Sequence, residues 1–481
     1  MEKVMEEKRW KIIPITDKKK LKLNLSNKER NIFVSILIFF SVITTIIPYG
    51  IVIPLALVAC RVFIILPIGK IINYLFIGII ASSFLGSYLG IPGNQSIFMF
   101  RILLILHVVL FILFKNKEWE RLSNYKFINL LLSIWIFGNF LSLFWTNATG
   151  ETLRYIYYSF EASYLIWLIM YHINNSNNYR MFSNIIIWFY FIALIMGCAE
   201  VITGWHLPSS GSNFYDTSTS KFQPTAFLFN TNDYAMYLCI FFPMVFHDLW
   251  NSKRLLANVY LAILVLILSF YLVIMTYSRL GIISISLEVM IVFWVYMRRS
   301  IIFIPFFISV YLLISSFGDK GYLLKVLKVI QEAFTKKGAS TNERIQIYST
   351  SWDIVQDSHF IGVGAGNVPI QIKNYWLGHQ SVNHLYKAVH NFWLESMGGI
   401  GFFALSIVVL YIFILLMAIR YWWRNISHIT TIKYFLPMLI IVVFYFSSIG
   451  LSTIIEKRYL WLALGIAIKL LNMESLKKGD D

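Results

Sequence analysis

Charge is scarce in this sequence. Asp, Glu, Lys and Arg make up 14% of its 481 residues, against about 25% in ordinary soluble domains. That deficit excludes a soluble globular enzyme and a disordered chain. Cysteine is scarcer still: Cys60, Cys198 and Cys239 are the three present, each inside an apolar run. They exclude a disulfide scaffold, offer no metal-ligand spacing and read as small buried hydrophobes. No soluble stretch interleaves basic with aromatic side chains, so no nucleic-acid partner is expected. No repeat at a fixed period is visible, nor the inverted repeat of a secondary transporter. The first thirty residues are too polar for a cleavable signal peptide.

What is present is apolar. The AVILMFWYC residues make up 58% and the aromatics 17%, and mean hydropathy is +0.68. Only a polytopic membrane protein fits. Residues 1–30 carry ten Lys/Arg and five Asp/Glu and read as a cytoplasmic tail. Eleven apolar runs of spanning length follow across 31–317, and three more across 391–472, before a short tail at 473–481. The first runs are short enough to be re-entrant, so the expectation is an all-α polytopic bundle of about 12–14 transmembrane helices.

Net charge is 41 − 24 = +17, and the excess is unevenly placed. With the N-terminus inside, the inner loops hold Lys70, Lys115, Lys117, Arg121, Lys126, Arg180, Lys253, Arg254, Arg298, Arg299, Arg420, Arg424 and Lys433. The outer loops hold little basic charge beyond Arg154, Lys221, Arg279, Lys457 and Arg458. Both termini are therefore expected inside. Residues 318–390 then form one long extracytoplasmic loop, with room for short helices of its own. Loops of that length are usually functional.

Candidate chemistry gathers in and around that loop. Ser340 and Glu343 have the spacing of a capping box, with Ile345, Tyr348 and Trp352 following at helical spacing. Arg344 would then sit in a first helical turn, where a cation is disfavoured and an anionic partner would explain it. Gly362-Val363-Gly364-Ala365-Gly366-Asn367 reads as a tight turn packing on the membrane face, not a nucleotide cradle. His379, His384 and His390 are spaced five and six apart, which does not place all three on one helix face for a metal. His390 stands where the loop meets the next span, with Asn391 beside it and Glu395 one turn below. Histidine titrates near neutrality and suits a general base, though it also serves helix entries. Arg279, in the turn Thr276-Tyr277-Ser278-Arg279, is placed either to grip a phosphate with its planar fork or to snorkel toward headgroups. Arg61, Glu161, Glu200 and Glu288 are ionisable residues inside expected spans, where such groups are often functional. Arg61 with one of the glutamates is a candidate pair.

In order, these elements are a T-x-S-R turn, an S-x-x-x-R helix with a downstream Trp, a G-x-G-x-G-N turn, then His-Asn, a glutamate and Gly398-Gly399-Ile400-Gly401. The set resembles the O-antigen ligase and Wzy-type polysaccharide polymerase superfamily, as does the earlier Phe229-Asn230-Thr231-Asn232-Asp233-Tyr234-Ala235. The resemblance covers about 225–405. It implies glycosyl transfer on the outer face of the cytoplasmic membrane, from a glycan carried on a polyprenyl diphosphate such as undecaprenyl diphosphate. It maps phosphate-gripping arginines onto Arg279 and Arg344, and an essential histidine onto His390. Asn391, Glu395 and Asn232 would support them. Where family members carry an arginine ahead of the Asn motif, this chain has Lys221. The implied partners are lipid-linked donor and acceptor, a flippase and a chain-length regulator. No cofactor and no metal is expected. The expectation is a metal-independent, inverting polymerase of lipid-linked repeat units, making a capsule, exopolysaccharide or teichuronic-acid-like product. A ligase acting on a lipid or protein acceptor is the alternative within the family. A transporter or flippase of lipid-linked sugars is the alternative outside it.

Overall fold

The structure is a computed structural model that describes residues 66–91, 94–114, 116–208, 210–213, 220–252, 256–297, 329, 331–332, 338–377, 388–426 and 431–477. Residues 1–71 and 72–481 form two compact units. Of the first, only the start of helix α1 is described. Cys60, Arg61, His379 and His384 lie outside the described residues.

Fourteen α-helices lie among the described residues: α1 (Ile68–Leu85), α2 (Met99–Leu113), α3 (Lys126–Leu141), α4 (Thr149–His172), α5 (Ser176–Thr203), α6 (Thr231–Trp250) and α7 (Leu256–Met275). These are followed by α8 (Arg279–Met297), α9 (Gly338–Asp357), α10 (Val368–Leu377), α11 (Phe392–Ile400), α12 (Leu405–Asn425), α13 (Leu436–Gly450) and α14 (Arg458–Lys477). One small hairpin, Gly90–Ile91 with Asn94–Phe98, interrupts the helical order. The protein is an all-α polytopic membrane protein. Among the described residues, seven helical stretches are long and apolar enough to cross a bilayer: 68–85, 119–144, 176–203, 256–275, 279–296, 392–425 and 432–450.

Helix α6 sits at the centre. From Asp233 to Phe246 its residues are buried without a break, the signature of a helix apolar all round. Around it pack α5, α7, α8, α13 and α14. Pro243 lies inside α6, and helix interiors tolerate proline when neighbouring helices support the freed carbonyl. Trp135, Trp461, Phe392 and Phe444 meet ring to ring where α3, α11, α13 and α14 converge.

The first of the three apolar runs expected across 391–472, at 391–419, is broken. Helix α11 ends at Ile400, and Gly401 takes φ +57 before a 3₁₀ turn leads into α12. A Cβ at Gly401 would fall inside contact distance of the Phe360 carbonyl, so only glycine fits. The break turns α11 into a short nine-residue element lying against the loop helices α9 and α10.

Candidate active site

The turn ahead of α8 is built from its own hydroxyls. Thr276 Oγ1 donates to Val273 O at 2.6 Å and accepts from Ser278 N at 3.2 Å, while Ser278 Oγ accepts from Gly281 N at 3.3 Å. Tyr277 takes φ +56. Arg279 is thereby the first residue of α8, half-buried. A cation at the positive end of a helix is locally disfavoured. An anion arriving there would meet the guanidinium and the positive end of the helix together.

Helix α9 starts at Gly338, upstream of where the capping box placed it. Ser340 therefore lies inside the first turn instead of capping it, and Arg344 falls in the second turn. The dipole argument made for Arg344 applies to Arg279 instead. The buried face of α9 also differs from the expected one: Ile347, Ser351, Ile354 and Val355 are buried, while Ile345 and Trp352 are exposed. Tyr348 lies at the edge of that face. Arg344 Nη2 donates to Gly450 O at 3.3 Å. Tyr348 Oη lies 2.9 Å from His390 O and 3.3 Å from Ile449 O, and its proton serves these two carbonyls. Burial raises the Tyr348 hydroxyl above the usual tyrosine range, opposed by Arg344, so it stays a neutral donor.

His390 is held in a left-handed conformation, φ +54, uncommon for a residue other than glycine. Its neighbour explains the hold. Asn391 is the N-cap of α11, its side chain accepting from Trp393 N at 3.1 Å and Leu394 N at 3.2 Å, as capping requires. Trp393 Nε1 donates to Ser448 Oγ at 2.8 Å, fixing α11 to α13. Glu395 follows one turn down and is buried, with Oε2 lacking a hydrogen-bond partner among the described residues. Tyr155 of α4 lies within its electrostatic reach.

The glycine turn does pack inward. Val363 N and Gly364 N donate to Gly398 O and Gly399 O at 2.8 and 2.9 Å, an edge-on backbone approach. Gly364 has φ +104, and a Cβ there would stand 2.6 Å from Thr146 Oγ1. Asn367 is buried, and its amide donates to Thr146 Oγ1 and Thr152 Oγ1, both at 2.8 Å. Ala365 N donates to Ser142 Oγ at 3.0 Å. The loop is thus latched to the end of α3 and the start of α4.

These elements converge on Ile449–Gly450, at the end of α13. Arg344 and Tyr348 reach its carbonyls, Tyr348 also reaches His390, and Leu280 beside Arg279 packs so closely that a Cβ on Gly450 would meet it. Arg344 directly, His390 through Tyr348, and Leu280, the residue after Arg279, thereby meet one short piece of chain. Next along the chain are three residues that the sequence reading passed over as loop charges. Lys457 Nζ pairs with the buried Asp233 at 2.6 Å, Arg458 pairs with the buried Glu161, and Glu456 pairs with Arg154 at 3.1 Å. A signal was available: Glu456-Lys457-Arg458 is a dense charge run between two apolar runs.

Other expectations are placed elsewhere. Lys221 is exposed, with its stem along Gly204 and its carbonyl accepting from His206 Nε2 at 2.8 Å. Asn232 is half-buried in the first turn of α6, but the cap there is Asn230, which accepts from Asp233 N at 2.8 Å. Of the carboxylates, Glu161 pairs with Arg458. Glu200 accepts from Thr225 N at 2.6 Å and Ala226 N at 2.8 Å. Glu288 is fully buried and both its oxygens lack hydrogen-bond partners among the described residues.

Residues 263–409 match the sequence model of a family described as O-antigen ligase. That match spans the turn at Arg279, both loop helices, His390 and the break at Gly401. Over that stretch, under a third of its length, the chain is similar to the O-antigen ligase family. It is also 26% identical over 402 residues to the teichuronic acid biosynthesis protein TuaE of Bacillus subtilis (strain 168), covering 79% of this chain and 80% of that one. Arg279, Arg344, His390, Asn391 and Glu395 fall inside the family match. Lys221 and Asn232 fall outside it.

Proposed function

We propose that this protein polymerises polyprenyl-diphosphate-linked oligosaccharide repeat units into an envelope polysaccharide, on the outer face of the bacterial cytoplasmic membrane. The observation that supports the reading is that Arg344, the Tyr348 hydroxyl bonded to His390, and Leu280 next to Arg279 all meet Ile449–Gly450. Two guanidiniums there can take up the charge building on a departing lipid diphosphate, the kind of stabilisation that contributes most to such reactions. The acceptor hydroxyl attacks the anomeric carbon and gives its proton to His390. The anomeric C–O bond to the diphosphate breaks, and the lipid diphosphate leaves. Direct displacement inverts the anomeric configuration. Because the donor is already activated, no nucleotide is required, and the cationic site can take a divalent metal's place. The alignment with a teichuronic acid biosynthesis protein supports an envelope polysaccharide as product. Both termini lie inside in this reading, and a flippase and a chain-length regulator act beside the protein.

The description of the matched family favours a second reading, transfer of a finished glycan to a lipid or protein acceptor. Purified protein in nanodiscs, given a synthetic polyprenyl-diphosphate oligosaccharide with EDTA and no nucleotide, separates the readings. Longer glycans and released polyprenyl diphosphate are expected. Turnover only when a different acceptor is supplied would give the ligase instead. Loss of turnover in EDTA, restored by a divalent cation, would overturn the metal-independent chemistry.

A further inference from the structure

The candidate site occupies one end of the bundle. Toward the opposite end of α3 lies a separate cavity of about 570 Å³ between α3 and α4, within the range of ligand sites. Its polar lining is ordered along α3: Lys126, Asn129 and Ser133 stand at i, i+3 and i+7, on one face. They descend about 10 Å into the helix. Below them Ile136 and Phe160 close an apolar end, and across from them stand Ser163, Tyr164 and Trp167 of α4.

Two features of this lining mark it for an amphipathic ligand. Ser163 is 5% exposed and its hydroxyl has no hydrogen-bond partner among the described residues, although the neighbouring Ser159 bonds back to Ile156 O at 2.9 Å. Buried hydroxyls are ordinarily paired, so this one awaits a partner from the cavity. At the mouth, Lys126 is exposed and shows no ion pair among the described residues, whereas the nearby Arg121 is held by Glu118 at 2.6 Å. Trp119, also in the lining and exposed, is the residue type that anchors at the membrane–water interface.

We propose that this groove binds an anionic glycerophospholipid of the bilayer. Lys126 faces the phosphate, Asn129, Ser133 and Ser163 meet the glycerol and ester oxygens, and Ile136 and Phe160 receive the start of an acyl chain. The chemistry orders itself by depth as the lipid does: charge at the interface, esters below, hydrocarbon beneath. The groove holds the α3–α4 pair at the end away from the candidate site. The proposal does not depend on what that site catalyses.

The test is native mass spectrometry of the full chain, released from detergent with added phosphatidylglycerol or phosphatidylcholine. Wild type is expected to retain phosphatidylglycerol at least tenfold better. Lys126→Glu should abolish that preference, and Ser133→Phe, at an exposed lining position, should reduce retention of either lipid. Arg424→Glu, an exposed charge reversal on α12, should leave the preference intact. Equal retention of the two lipids by wild type would overturn the proposal. So would a preference that survives Lys126→Glu, an equal loss in Arg424→Glu, or a polyprenyl phosphate as the tightly held lipid.

Discussion

Lys457→Met removes one half of the ion pair that ties the start of α6 to the start of α14. Asp233 is 1% exposed, its Oδ1 has no hydrogen-bond partner among the described residues, and Lys457 Nζ at 2.6 Å is the opposite charge it pairs with. Breaking a buried pair from one side costs about 3–5 kcal/mol, because the remaining charge stays buried alone. The first turn of α6 offsets up to about 1 kcal/mol of that, since a carboxylate is favoured near a helix N-terminus. The expected loss is therefore about 2–4 kcal/mol. Asp233→Asn should cost less, about 1–2 kcal/mol, because the lysine head can turn toward water. The double variant Asp233→Asn/Lys457→Met should return to within about 1 kcal/mol of wild type, since no charge is left buried. Equilibrium unfolding in mixed dodecyl maltoside and SDS micelles measures all three. A double variant as unstable as Lys457→Met alone would refute the reasoning, because it would make the loss one of lysine packing, not of an orphaned carboxylate.

Three further outcomes are expected. Tyr348→Phe removes the hydroxyl shared by His390 O and Ile449 O, so it should cost about 1–2 kcal/mol in the same unfolding assay and lower glycan transfer more than it lowers stability. Gly401→Ala places a Cβ against the Phe360 carbonyl at positive φ, and the variant should fail to accumulate in membranes, as read by immunoblot against Gly450→Ala, whose Cβ meets only the flexible end of Leu280. Asn367→Ala removes the amide that donates to Thr146 and Thr152, whose hydroxyls keep each other at 2.7 Å, and should destabilise by about 1–2 kcal/mol; an unchanged unfolding midpoint would mean that the glycine turn is not latched through this amide.

The membrane architecture was legible because it depends on runs of apolar residues, and runs survive without partners. The turn at Arg279 and the glycine turn could be read for a similar reason: each is made by residues adjacent in the chain. What escaped depends on distant partners. Ser340 and Glu343 have the spacing of a cap, yet spacing does not reveal that the helix already begins at Gly338. Ile345 and Trp352 are apolar, but the face α9 buries is chosen by α10 and α11, so Ile347, Ser351 and Val355 are inside instead. Glu161 with Arg458 and Asp233 with Lys457 are separated by 297 and 224 residues. No local pattern pairs such groups. The break inside the span at 391–419 had a visible marker in Gly398-Gly399-Ile400-Gly401, whose structural meaning emerges only when the Phe360 carbonyl is in place.

The central claim is that Arg279, Arg344 and His390 act together on a lipid-linked glycan. The most direct measurement is glycan chain growth from a fluorescent polyprenyl-diphosphate oligosaccharide in nanodiscs, comparing wild type with Arg279→Ala, Arg344→Ala and His390→Ala at matched unfolding midpoints. The account predicts growth in wild type and its loss in all three variants, with His390→Ala the lowest. Growth that persists in folded His390→Ala would contradict it, as would lipid-linked sugar crossing the bilayer with no glycan transferred by wild type.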